Sequence, residues 1–189
     1  MKQRFAKCLT IAVLVAGAQL PLSVQSAPAT AGQGTPKSLE ACSLITKADV
    51  NAAFAPRMFE PDNSGPAQRV SSKYAEVSNC TFVSKGATIR EMAIVTVSVR
   101  LATSDEYGVG IDKMKAGAVA LKGTPIDIVG VGDGAYWVNL GSSARPSRQL
   151  AVAKGKRLWL TFGESSPALS DAEAVARLTR LAKSGLGKR

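Results

Sequence analysis

Cys42 and Cys80 stand 38 positions apart, and a bond between them would force that whole stretch into a closed loop. Whether the bond forms depends on the compartment, and the opening residues speak to that. They read MKQRFAKCLTIAVLVAGAQLPLSVQSAPATAGQ. Lys2, Arg4 and Lys7 make a basic head, Cys8 to about Leu22 is apolar, and small residues follow. That order is a secretory signal peptide, with Ala27-Pro28-Ala29 and Ala29-Thr30-Ala31 as cleavage triplets. Gln19 and Pro21 interrupt the apolar run, which is short for a membrane anchor. Residues 1–29 are expected to be removed and the chain to be periplasmic or secreted, with no transmembrane segment left. Of three cysteines Cys8 then departs, and in an oxidising compartment Cys42 and Cys80 are most simply one disulfide. Closing that loop stabilises the fold by about 4 kcal/mol on the chain-entropy account.

Export also revises the charge. The whole chain has 24 Lys and Arg against 14 Asp and Glu, a formal +10. Loss of Lys2, Arg4 and Lys7 leaves +7, scattered from Lys37 to Arg189 without a block. Such a surface suits an anionic envelope ligand or a protein partner, and it matches no nucleic-acid motif. The chain contains no histidine, which removes His-based triads and most zinc sites. Serine-nucleophile signatures and calcium-loop spacings are missing as well. Asp105, Glu106 and Asp112 read as a solvated helix surface. No catalytic residue, cofactor or metal is expected.

The stretch GVGDGAYW (130–137) needs separate treatment, because glycines around an acid also build phosphate cradles. A dinucleotide fingerprint places its glycines between a strand and a helix, so that the helix N-terminus faces the phosphate. Here PIDIV precedes and AYWV follows, both strand-like, and no Gly-Lys-Ser/Thr appears. Gly130, Gly132 and Gly134 are expected to take positive φ in a strand–strand turn, with Asp133 bonding local backbone.

Along the chain, residues 30–40 read as a flexible leader and 41–185 as a single domain. Thr46 with Asp49 forms a capping box for a first helix that Pro56 ends. EPDNSGPAQ (60–68) is a polar loop, NCTFVS a strand carrying Cys80, and EMAIVTVSVRL (91–101) the clearest strand. Thr103 with Glu106 predicts a second helix through about Lys115. PIDIV, AYWVNL, RQLAVAK and RLWLTF are four short strands, with Gly155 turning the last hairpin. Ser170 with Glu173 caps a closing helix stopped by Gly185. Short links between the last strands require antiparallel neighbours. The fold class is therefore α+β: a mainly antiparallel sheet with packed helices, stapled by one disulfide.

Strand parity sorts the side chains. Val95, Val97, Val99 and Leu101 share a face, and Tyr136, Val138 and Leu140, Leu150 and Val152, and Leu158, Leu160 and Phe162 each alternate likewise. The opposite parity carries Thr96, Ser98, Arg100, Trp137, Asn139, Arg157, Trp159 and Thr161. Two indoles among arginines and hydroxyls make Trp137, Trp159, Arg100, Arg157 and Ser98 the candidate ligand face, with an anionic preference. If those indoles are shielded, the loops 56–73 and 141–148 are the places left for a site.

CSLITKADV, NCTF, VGVGDGAYW and LAVAKGKRLWLTF occur here in an order that resembles small exported bacterial proteins grouped as domains of unknown function, many of them actinobacterial lipoproteins. The resemblance covers roughly residues 41–183. It implies a Cys42–Cys80 disulfide and an α+β sandwich of the kind found in extrinsic lumenal proteins of photosystem II, and it supplies no catalytic residue. The chain departs from the lipoprotein members in lacking a cysteine at the cleavage site.

The functional expectation is an exported, non-enzymatic binding or interaction module. The alternatives are an inhibitor or immunity-type partner of an envelope protein and, behind it, a carboxylate-based hydrolase. Exported protein, denatured without reduction, should show no free thiol on labelling; one or two labels per chain would remove the disulfide from the fold.

Overall fold

Two ten-residue stretches, AEVSNCTFVS and AIVTVSVRLA, dominate the architecture because both alternate without a Gly or Pro to break them. A computed structural model describes residues 40–62, 69–86 and 91–188. The expected signal peptide (1–29), residues 30–39 of the leader and residues 63–68 of the polar loop lie outside the described residues.

The elements are α1 (Ala41–Leu44), α2 (Lys47–Phe54), β1 (Glu60–Pro61), β2 (Arg69–Ser71), β3 (Ala75–Ser84) and β4 (Ala93–Ala102). A 3-10 turn (Asp105–Tyr107) leads to α3 (Ile111–Ala120). Then come β5 (Ile126–Asp127), β6 (Gly134–Asn139), β7 (Arg148–Lys154), β8 (Leu158–Glu164) and α4 (Asp171–Leu186). The strands form one sheet in the order β1-β3-β4-β8-β7-β6-β5, with β2 also on β3. Every strand pairing among the described residues is antiparallel. The α+β class with a mainly antiparallel sheet is as the sequence predicts. The step from β4 to β8 is the longest jump in sequence along the path. It joins Val95↔Glu164 through Leu101↔Leu158 and so puts the two most apolar strands at the centre.

Helices lie on both faces of the sheet. On one, α1 touches β3 and β4, and α4 touches β7, β8 and α2. Phe82, Val95, Val97, Val99, Leu150, Val152, Leu160 and Phe162 meet Ile45, Val50, Phe54, Leu178 and Leu181 there. The Cys42–Cys80 disulfide ties α1 to β3, with Cα atoms 5.1 Å apart. Ala41 N–H also donates to Ser78 Oγ at 3.0 Å. On the other face α3 covers only the β6 side, where Tyr136, Val138 and Ala151 pack on Ala118, Ile111 and Met114.

That second cluster corrects the expected parity of β6. Tyr136 and Val138 face α3, while Ala135 and Trp137 join the main core opposite Val152 and Leu150. Both faces of β6 are covered, so apolar alternation cannot tell them apart. Trp137 and Trp159 therefore lie on opposite faces of the sheet.

Two of the three expected capping boxes form, Thr46–Asp49 on α2 and Ser170–Glu173 on α4. Asp49 also accepts from Ser184 Oγ at 2.9 Å and pairs with Lys188, which joins α2 to the end of α4. Burial pushes its carboxyl up, yet the bonds from Lys188, Thr46 and Ser184 outweigh that and hold it well below the usual range. The Thr103–Glu106 box does not form. Thr103 Oγ1 donates to Lys73 O (2.7 Å) and Tyr74 O (3.1 Å) instead, and α3 starts later at Ile111 without a side-chain cap. Gly185 does not stop α4. It lies inside the helix because a Cβ there would come within 2.8 Å of Ile45 Cδ1, and the C-cap is Gly187.

GVGDG is a strand–strand turn between β5 and β6. Gly130 (φ 77°) and Gly132 (φ 61°) take positive φ as expected, whereas Gly134 is the first residue of β6 and does not. Asp133 bonds across to another hairpin, not to its own turn. It accepts from Gly155 N–H at 2.6 Å and from Lys154 Nζ at 3.2 Å. Gly132 is constrained twice, since a Cβ would also meet Ala153 O and Val152 Cγ1 at 2.5 Å. Gly132→Val should cost on the order of 2 kcal/mol or more, and Gly130→Ala, which meets open space, about 1–2 kcal/mol. Urea unfolding separates the two; equal losses would mean that crowding at Gly132 is relieved by local movement.

Candidate functional site

The links that leave the core side of the sheet enclose a depression of about 640 Å³. Three segments line it. The exit of α2 supplies Phe54, Arg57, Met58 and Phe59, the end of β3 supplies Val83 and Lys85, and the β8–α4 link with α4 supplies Ser166, Ala168, Leu169 and Arg177. Phe54 and Phe59 are buried and meet edge to face at 5.4 Å, so that wall is rigid. Asn51 Oδ1 accepts from Phe59 N–H at 2.7 Å and holds the α2 exit in place. Met58, 64% exposed, sits at the rim.

A buried arginine builds the opposite wall. Arg148 (5% exposed) donates from Nη1 to Glu164 Oε2 (3.1 Å) and Ser166 O (2.8 Å), and from Nη2 to Leu169 O (2.6 Å). Its Nε donates to Asp171 Oδ1 at 2.6 Å, in the first turn of α4. One planar side chain thus fixes the end of β8, the link and the start of α4. Glu164 accepts the Ser166 N–H on its other oxygen. Burial pushes the Glu164 carboxyl above its ordinary range, against the Ser166 N–H, the Arg148 guanidinium and the Arg57 charge, which pull it down.

Cations stand at the pocket. Arg57 Nη1 donates to Glu91 O at 3.1 Å and Ser166 Oγ at 3.4 Å. Arg177 Nη1 donates to Ala55 O at 3.0 Å, and its guanidinium carbon lies 5.9 Å from the Phe54 ring centroid. Glu60, the acid in the lining, is paired with Lys47 at 2.6 Å.

The sequence-predicted face is only partly assembled. Trp159, Arg100 and Ser98 do share the face left open by α3, in a groove of about 310 Å³ with Val77, Val109, Met114 and Thr161. Trp159 is 3% exposed, and Arg100 donates from Nη2 to Tyr107 O at 3.2 Å. Arg157 turns to the strand end, where Nε donates to Ala102 O at 2.7 Å. Trp137 is absent from this groove because it belongs to the main core, 6% exposed. With both indoles shielded, the larger pocket at the 56–73 loop takes precedence. The loop 56–73, one of the two left as places for a site if the indoles are shielded, carries Arg57, Met58 and Phe59 of this pocket. Arg148, Ser166 and Arg177 gave no such signal, being separate in sequence from that loop.

Among the described residues no cluster of acidic, Cys or His side chains is arranged to hold a metal ion. Comparison with protein-family models, curated proteins and solved structures finds no match for this chain.

Removing Arg148 leaves Glu164 buried without its guanidinium. Arg148→Met should cost about 3–5 kcal/mol near neutral pH. Glu164 already has a raised folded-state pKa, and losing Arg148 raises it further. The unfolded state is common to both proteins, so the loss relative to the parent should be smallest below the parent's raised folded-state pKa and grow as pH climbs from there towards the variant's still higher one. Adding Glu164→Gln should restore part of the stability at neutral pH. Chemical denaturation at two pH values checks both, and a pH-independent loss would mean that Glu164 stays ionised without its partner.

Proposed function

We propose that this chain is an exported, non-enzymatic binding module that holds a small, largely apolar molecule in the pocket between the α2 exit, β3 and the β8–α4 link. The observation that carries the reading is the pocket itself. Its volume of about 640 Å³ lies within the 300–1,000 Å³ common for small-molecule sites. Two rigid devices shape it: the Phe54–Phe59 wall and the Arg148 clasp.

Export rests on the basic head and apolar run of residues 1–29. The disulfide is compatible with it, as is the finding that no helix among the described residues is long and apolar enough to cross a membrane. The non-enzymatic reading is supported by the fate of Glu164. A carboxyl raised by burial is what a carboxylate-based hydrolase needs, yet this one has no solvent exposure and is spent on Arg148 and the Ser166 N–H. The groove beside Trp159 and Arg100 is secondary in this reading, being half the size.

The neutral dye N-phenyl-1-naphthylamine tests the pocket. Saturable one-to-one enhancement of its fluorescence is expected from the mature protein, and Ala168→Trp, which fills the pocket from the link, should weaken it about tenfold or more. Binding that never saturates, or that Ala168→Trp leaves unchanged, overturns the reading.

A further inference from the structure

Resting on that pocket reading, we infer that the ligand is an amphipathic anion: an apolar body carrying one oxyanion head, which Arg57 and Arg177 receive. The first support is the unspent capacity of the two guanidiniums. Among the described residues Arg57 donates from Nη1 to two neutral oxygens, Glu91 O and Ser166 Oγ, and Nε and Nη2 meet no acceptor. Among the same residues Arg177 donates once, from Nη1 to Ala55 O. Neither lies within ion-pair distance of a carboxylate among the described residues, whereas Arg148 nearby has two carboxylates at 2.6 and 3.1 Å.

The second support is the apolar wall beside these charges. Phe54, Phe59, Val83 and Leu169 line the same 640 Å³ space, and Met58 at the rim can repack around a chain or ring. An arginine kept beside apolar surface without a partner carboxylate favours an incoming oxyanion, which the planar fork takes in two bonds.

Three acids near the pocket are already engaged. Glu60 is held by Lys47, Glu164 by Arg148, and Glu173 by its cap bonds to Ser170, although its carboxyl also feels the Arg177 charge. The Arg57 charge likewise reaches Glu164. Neither acid blocks a headgroup by occupying the guanidinium forks.

Isothermal titration of the mature protein with dodecanoate, monododecyl phosphate and dodecanol, each below its aggregation concentration, tests the inference. One or both anions should bind one-to-one and about tenfold or more tighter than dodecanol, with affinity falling as salt rises. Which anion wins identifies the head as carboxylate or phosphate. Arg57→Gln with Arg177→Gln should remove that preference while leaving dodecanol binding within about twofold, and the Lys pair at both positions should restore part of it. Equal binding of dodecanol and the anions overturns the anionic head and leaves the pocket reading intact. No binding of any of the three overturns the inference as well, and the neutral dye then decides whether the pocket reading survives. Retained anion preference in the Gln pair, with the fold intact by circular dichroism, assigns the head to other groups and overturns the role of these arginines.

Discussion

Arg148 is the interaction on which the rest depends. A guanidinium taken out of water is stable only when its donors are met, and this one is met by Glu164, Asp171 and two backbone carbonyls. Those acceptors come from β8, the link behind it and the first turn of α4. The clasp therefore decides where α4 begins and how its apolar side meets β7 and β8. Leu178 and Leu181 can enter the core only if that start is right. The link it fixes is also a wall of the pocket, so core and site share one anchor.

The disulfide works at the other end of the same layer. It holds α1 against β3, and α2 follows after Ile45, itself fully buried. Asp49 then binds α2 to the tail of α4 through Ser184 and Lys188. The helical layer is thus closed by one covalent bond, one ion pair and one hydrogen bond to a carboxylate. Among the described residues the opposite face has one α-helix, α3, over β6, which leaves much of β3 and β4 half-buried on that side.

Much of the fold was legible because local chemistry and tertiary demand agree. Thr46–Asp49 and Ser170–Glu173 cap helices whose apolar stripes face the sheet, and the strands from 93 to 164 alternate or run apolar between turn residues. Legibility failed where a distant group took over a local signal. Thr103 reads as a cap until the carbonyls of Lys73 and Tyr74, some thirty residues back, claim its hydroxyl. Gly185 reads as a stop until Ile45 needs its space. Trp137 reads as surface because its strand neighbours are polar or ambiguous, and nothing local reveals that β6 is covered twice. The pocket is the extreme case, with its walls drawn from residues 54–60, 83–85 and 166–177. Spacing in sequence carries no trace of such a meeting; only the loop after Pro56 hinted at it.

The strand lengths carry a consequence for how copies of this chain meet one another. The outer side of β3 is shared by β1 and β2, two and three residues long, and the far border is β5, again two residues. Among the described residues no border strand offers a long run of free N–H and C=O groups to another molecule. Pro61 lacks an N–H on one border, and a Lys115–Asp127 pair places charge on the other. The long, sticky strands β3, β4 and β8 are interior. At high concentration, copies of this protein therefore present little template for joining edge to edge into fibrils.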